Sequence, residues 1–336
     1  MSTLDKIFAA SEEQRAQVDE EFKGCGEFTL GPIDNHSASD FASVTHMQSA
    51  VNKIMTDPGA FYTSDADNPE FSLSDGALTY RSHITDGSAN SLVHVQAIKH
   101  RPGAEKAIII VHHWNAKQDD YLRLAKILNW RGYAVFILTL PHHGKRSSSK
   151  PDHIANEFLN ANISAAINSV RQSVLDVRSL VRWIENKGYK HIDLVGVSLG
   201  SSVASLTAAF EPRLSRCALL MTAGDFAETV WTGRATARIR QAFEGHISLS
   251  QLQQIWSIIS PSHFVEKIAA NNLPILLMNC KRDSVVKFKL GEEYGKALSE
   301  VGVNLTTHAL PCGHYTLGSF PFSGVMVFRL LQFLRR

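Results

Sequence analysis

Long apolar runs are missing from this sequence. The cleanest, such as "YAVFILTL" at residues 133–140, is about eight residues long, well short of the roughly 20 that a membrane-crossing helix needs. Cysteine is scarce and dispersed. Cys25, Cys217, Cys280 and Cys312 form no C-x-x-C pair, which argues against a zinc ribbon or a dense disulfide framework. Cys217 and Cys280 lie inside apolar, strand-like runs, where cysteine behaves as a small buried hydrophobe. Excess charge of one sign is also absent. A net charge of +2 gives no field that would gather nucleic acid or an anionic membrane. Neither G-x-G-x-x-G nor G-x-x-x-x-G-K-[ST] occurs, so no dinucleotide or nucleoside triphosphate is implied. The start, "MSTLDKIFAASEEQRAQVDEEF", is charged and lacks the apolar stretch of a secretory signal. The expectation is a soluble, cytoplasmic protein without nucleic-acid or membrane partners. Nothing in the pattern speaks to oligomeric state.

What is present is a rhythm. With 44% apolar and 20% charged residues over 336 positions, the chain suits one large α/β unit with insertions. Residues 1–70 read as an N-terminal extension with a polar helical start and a second helix in "FASVTHMQSAVNKIM". Residues 71–336 read as the main domain. "GALTYRSHIT" and "SLVHVQAIKH" alternate about the turn-like "DGSAN" and predict an antiparallel hairpin. Buried-strand runs then alternate with helical ones: "KAIIIVHH", "YAVFILTL", "HIDLVGVS", "RCALLMTAG", "PILLMNCKRD" and "VNLTTHALP", closing on the helix "SGVMVFRLLQFLRR". This predicts an α/β fold with a mostly parallel central sheet covered by helices on both faces and mixed at one edge. Residues 141–162, and a helical cap at 225–262, break the rhythm as insertions where loops commonly cover a site.

The most informative stretch is "GVSLG" at 196–200. A serine between glycines, with a buried strand before it and a small-residue helix after it, has the form of a nucleophile elbow. In that turn the backbone approaches residues two before and two after the serine, so only small side chains fit. A helix opening directly after it turns its first amides toward any anion that develops there. The serine needs a base, and the base an orienting acid, from later strand ends. "LLMNCKRDSVV" supplies Asp283 and "HALPCGHYT" supplies His314, in the order Ser, acid, His. Asp225, after "LLMTAG", is the rival acid. These are the catalytic candidates: Ser198 as nucleophile, His314 as general base and acid, and Asp283 as the carboxylate that orients the ring.

With these residues in that order, residues 71–336 resemble the α/β-hydrolase superfamily. In that family a His-Gly-X loop follows the third strand, and the amide of X joins that of the residue after the serine in an oxyanion hole. Here "VHHWNA" matches His112 to the histidine, puts His113 in place of the glycine and Trp114 at X. The resemblance therefore implies Leu199 and Trp114 as oxyanion donors, with His113 a lesser candidate. "LPHHGKRSSS" is similar to a segment after the fourth strand in a bacterial, esterase-like branch.

The implied activity is serine hydrolysis of a small-molecule ester or acyl substrate through an acyl-enzyme, without a cofactor. A peptidase or amidase and a thioesterase share the same apparatus, and a non-catalytic binding protein of the same fold is the alternative outside the enzymes. Fifteen histidines raise the question of a metal, chiefly at His112-His113 and His142-His143. Neighbouring residues of a strand point to opposite faces, which is poor chelation geometry, and no H-x-x-x-H spacing occurs; no metal is expected. Arg234, Arg238 and Arg240 read as a solvated helix face more readily than as an anion site. Phe226, Trp231 and Trp256 are candidates for an acyl pocket or for the cap's own core.

Overall fold

A computed structural model describes residues 3–22, 25–33, 39–63, 69–85, 87–98, 105–117, 119–147 and 155–335. Residues 148–154 of the first insertion, and Asp86 of the "DGSAN" turn, lie outside them. The strands are β1 (Phe71–Ser74), β2 (Ala77–Arg81), β3 (Leu92–Ile98), β4 (Lys106–Val111), β5 (Tyr133–Leu138), β6 (His191–Val197), β7 (Arg216–Leu220), β8 (Ile275–Cys280) and β9 (Leu305–Leu310). They form one sheet in the order β1-β2-β3-β5-β4-β6-β7-β8-β9. From β5 to β9 neighbours are parallel, and β1, β2 and β3 join antiparallel at one edge. The mostly parallel, edge-mixed sheet expected from the alternation is what forms.

The hairpin of β2 and β3 holds the register Ala77↔Gln96 to Arg81↔Leu92. Before it comes a strand the alternation does not announce. β1 pairs with β2 across Asp75-Gly76, both at positive φ (47° and 79°), the conformation a two-residue hairpin turn requires. "FSLS" is too short and too polar to stand out, and the Asp-Gly dipeptide was its available signal.

Residues of the central strands alternate between two cores. Ile109, Val111, Leu194 and Leu219 face one side, under helices Ile163–Asn186 and Leu199–Phe210; Ile108, Ile110, Val135 and Val195 face the other, under Leu122–Trp130 and Phe322–Leu334. Burial on both faces is why these strands read as unbroken apolar runs. The chain leaves β4 to place β5 on one side and β6 on the other. That reversal opens a crevice at the carboxyl ends of the strands, where ligands bind in open α/β sheets.

The segment after β7 folds into short helices, beginning with Phe226–Thr232 and ending with Val265–Ala270. Trp256 is fully buried in it, donates its indole N–H to the Ile163 carbonyl (2.9 Å), and packs edge-on against Phe226 and Phe243. It belongs to the segment's core. Residues of the N-terminal region pack onto the same face: the Tyr62 hydroxyl donates to the Ile258 carbonyl (2.6 Å) and Arg171 Nε to the Phe61 carbonyl (2.8 Å). No helix among the described residues is long and apolar enough to cross a membrane.

Candidate active site

Ser198 occupies the turn between β6 and helix Leu199–Phe210 at φ 53°, ψ −118°. A non-glycine residue at positive φ is strained. Here the strain is held by the turn's own bonds: Ser198 N–H donates to the Leu220 carbonyl (2.8 Å), while Ser201 N–H and its hydroxyl donate to the Ser198 carbonyl (2.7 and 2.6 Å). The flanking glycines are steric necessities. A Cβ on Gly196 would stand 2.3 Å from the Gly200 carbonyl oxygen and 2.6 Å from Ala204 Cβ. One on Gly200 would stand 2.3 Å from the Val111 carbonyl oxygen and 2.5 Å from that of His112. The second contact packs the first turn of the helix against the end of β4. The loop that follows His112 is thereby brought beside Leu199.

Along the same edge of the sheet, β8 and β9 end in the other two candidates. His314 Nδ1 lies 2.8 Å from Asp283 Oδ2. The other carboxylate oxygen of Asp283 accepts the backbone N–H groups of Val285 (2.8 Å) and Val286 (2.7 Å). Both oxygens are thus fixed, and the carboxylate is almost wholly buried while 11% of the His314 side chain remains accessible. The two loops are tied together as well, since Arg282 N–H donates to the Cys312 carbonyl (2.9 Å). Asp225, the rival acid, is committed elsewhere. It caps helix Phe226–Thr232 by accepting Glu228 N–H (2.8 Å), and its second oxygen accepts Gln253 Nε2 (2.8 Å). Ser198 stands at the end of β6, with β7 between it and the strand that carries Asp283.

Acetyl xylan esterase from Paenibacillus sp. R4 matches 94% of this chain and 98% of its own with a TM-score of 0.61 at 12% identity. The chain has the α/β-hydrolase fold. The Pyrococcus furiosus esterase Pf2001 covers 80% of this chain and 93% of its own (TM-score 0.55, 18% identity), and the Pyrococcus horikoshii acylaminoacyl peptidase 82% and 50% (TM-score 0.57, 10% identity). The family model for alpha/beta hydrolase domain containing 18 matches residues 88–239, a span that includes Trp114 and Ser198 and ends before Asp283 and His314. Rv2627c and MT2702 of Mycobacterium tuberculosis, both uncharacterized proteins, are 32% identical over 105 residues, 30% of this chain. The chain spans a quarter of the length of these curated relatives.

Within this α/β-hydrolase fold the loop after β4 is shaped without the family's glycine. His113 N–H donates to the Tyr121 hydroxyl (3.2 Å), whose oxygen also lies 2.6 Å from His113 Nδ1. Asn115, at φ 62°, donates its N–H to His143 Nε2 (3.2 Å). The Trp114 indole donates to the Ala155 carbonyl (3.1 Å), and Asn115 Oδ1 accepts Ala155 N–H (2.8 Å). The amides on either side of Trp114 are therefore anchored by buried Tyr121 and His143. Short-range signals do not reveal these partners, which stand 8 and 28 residues away.

The conspicuous histidines have structural tasks. His112 Nε2 accepts Leu140 N–H (3.0 Å), so the proton is on Nδ1, which donates to the His113 carbonyl (2.7 Å). His143 repeats the arrangement, accepting from Asn115 and donating from Nδ1 to the Pro141 carbonyl (2.7 Å). Burial pushes His112 down to about 4 and His143 well below the ordinary imidazole range. Both are neutral staples between the loops after β4 and β5.

Behind them, fully buried Arg146 pairs with fully buried Asp176 at 2.8 Å and donates to the Thr139 and Asn90 carbonyls. Removing one partner of such a pair costs about 3–5 kcal/mol. Of the arginines in the inserted segment, Arg234 pairs with Glu13 (2.5 Å) and Arg240 with Glu244 (3.3 Å).

Proposed function

We propose that this protein is a serine hydrolase of carboxylic esters, with Ser198 as nucleophile, His314 as general base and acid, and Asp283 as the carboxylate that orients the ring. The observation that carries this reading is the conjunction of a strained serine, held at φ 53° between glycines that have no room for a side chain, with an Asp283–His314 pair at 2.8 Å, its carboxylate buried, on the same sheet edge. Asp283 accepts from Nδ1, which leaves Nε2 to take the serine proton. The serine oxygen adds to the substrate carbonyl, and the oxyanion is met by the backbone amides of Leu199 and Trp114. Leu199 is the first residue of its helix, so its N–H lacks an intrahelical acceptor. Each such donor lowers the barrier by about 3 kcal/mol. His314 then protonates the leaving alcohol, and a water it deprotonates releases the acid from the acyl-enzyme. No cofactor enters this scheme.

The esterases that share the fold support an ester as substrate, and an acylaminoacyl peptidase shares it too. A panel of p-nitrophenyl esters beside the matching anilides separates the two chemistries. The decisive experiment is labelling with a fluorophosphonate followed by peptide mapping. The modified residue is expected to be Ser198, and Ser198→Ala is expected to lose both labelling and ester turnover while unfolding at the wild-type temperature. Folded protein that carries no label on Ser198 and turns over no ester would leave the non-catalytic binding reading in its place.

A further inference from the structure

The N-terminal helix Thr3–Phe22 sends one carboxylate into the loop that carries His314. Glu12 is 8% exposed. Its Oε2 accepts the backbone N–H of Tyr315 (3.0 Å), the backbone N–H of Thr316 (3.0 Å) and the Thr316 hydroxyl (3.1 Å), and Oε1 lies 3.2 Å from the Tyr315 nitrogen. Three residues along the helix, Arg15 Nη1 donates to the Tyr315 carbonyl (2.6 Å). Both backbone polar groups of the residue after His314 are therefore held by this helix. The seat is tight: a Cβ on Gly313 would stand 2.2 Å from the Glu12 carboxyl carbon and 2.5 Å from each oxygen. The neighbouring Glu13 faces outward, half exposed, against Arg234. A carboxylate accepting several N–H groups in a nearly dry site is an expensive arrangement to maintain unless those donors need fixing. The donors fixed here are the two that follow His314.

We propose that Glu12 is a positioning residue for His314: its carboxylate sets the 313–316 loop so that the imidazole meets Asp283 and faces Ser198. The inference rests on the triad reading above. It gives the N-terminal helix a task at the far end of the sequence, some 300 residues away. Among the described residues, the charged groups facing this loop include Asp283, Arg282, Glu12, Arg15 and the Glu13–Arg234 pair. Loss of the Glu12 charge, and a looser Asp283–His314 contact, both make the imidazolium less stable and move the His314 titration to lower pH.

The test uses the full-length chain with Glu12→Gln, and Glu13→Gln as the control. Three readouts are taken: the fluorophosphonate labelling rate of Ser198, kcat and KM on a p-nitrophenyl ester, and the His314 imidazole titration followed by NMR. Glu12→Gln is expected to slow labelling and kcat by about 10- to 100-fold, the scale of a misplaced catalytic group. KM should stay near wild type and the His314 midpoint should fall, while Glu13→Gln matches wild type in all three. A folded Glu12→Gln protein with wild-type labelling and an unmoved His314 midpoint overturns the inference, as does a loss of active fraction whose remaining sites label at the wild-type rate.

Should Glu12→Gln fail to fold, Thr316→Val removes one donor to the carboxylate and is read in the same way. Gly313→Ala, which forces the carboxylate out of its seat without altering charge, must then also slow labelling. If wild-type Ser198 itself does not label, the triad reading has failed. The NMR midpoint still decides whether Glu12 governs His314.

Discussion

Two groups of histidines stand at the carboxyl ends of this sheet, and they are held in opposite ways. Between the loops after β4 and β5, His112 and His143 use both ring nitrogens on backbone groups, one as donor and one as acceptor, and both are buried. After β9, His314 uses Nδ1 on a buried carboxylate and keeps part of its ring accessible. A ring that accepts one backbone N–H and donates to one carbonyl is fixed in its neutral tautomer, and a proton would break one of its bonds. A ring backed by a carboxylate gains from protonation. The residue type is the same at both places; what the ring nitrogens meet separates a structural staple from the proposed base.

The largest expected break in this comparison comes at Asp283. Asp283→Asn keeps an oxygen for the Val285 and Val286 amides but turns an N–H toward His314, forcing the wrong tautomer. Ester turnover should fall by about 10⁴-fold with little change in thermal stability, as steady-state kinetics and a melting curve would reveal.

Next comes the pH response of the staples. His112 ionises near 6.5 when unfolded and near 4 when folded, so between those values the unfolded chain binds more protons. The stability it contributes is complete above pH 6.5 and is lost as pH falls toward 4, about 3 kcal/mol in all. Denaturant titrations at pH 7.5 and 5 should show the loss, and His112→Gln, which has no proton to gain, should flatten the dependence.

The smallest effect is expected at the rival acid. Asp225→Asn should cost about 1 kcal/mol or less, as a weakened helix cap, and leave turnover within a few-fold. A collapse of activity there, with Asp283→Asn active, would exchange their roles.

The sheet and the serine turn were legible because their causes are local. Strands buried on both faces must be apolar throughout, and a turn that presses Gly196 against Gly200 and Ala204 admits no side chain at two positions. Asp283 and His314 were legible because each closes a strand in sequence. β1 was not, since four residues of mixed polarity give no period to read. Nor were the anchoring of Trp114's loop by Tyr121 and His143, the Arg146–Asp176 pair, or the seat of Glu12 beneath the His314 loop.

By itself, then, the chain's pattern determined an α/β sheet, the order of its strands along the polymer, and three side-chain types at strand ends. It left open which aspartate meets the histidine, which histidines stay neutral, and what the first helix touches. The tertiary structure decided those, because each depends on hydrogen-bond partners drawn from distant parts of the chain. A carboxylate's reach, an imidazole's tautomer and a loop's seat are set by the atoms that close around them, and that closure exists only once the chain has packed.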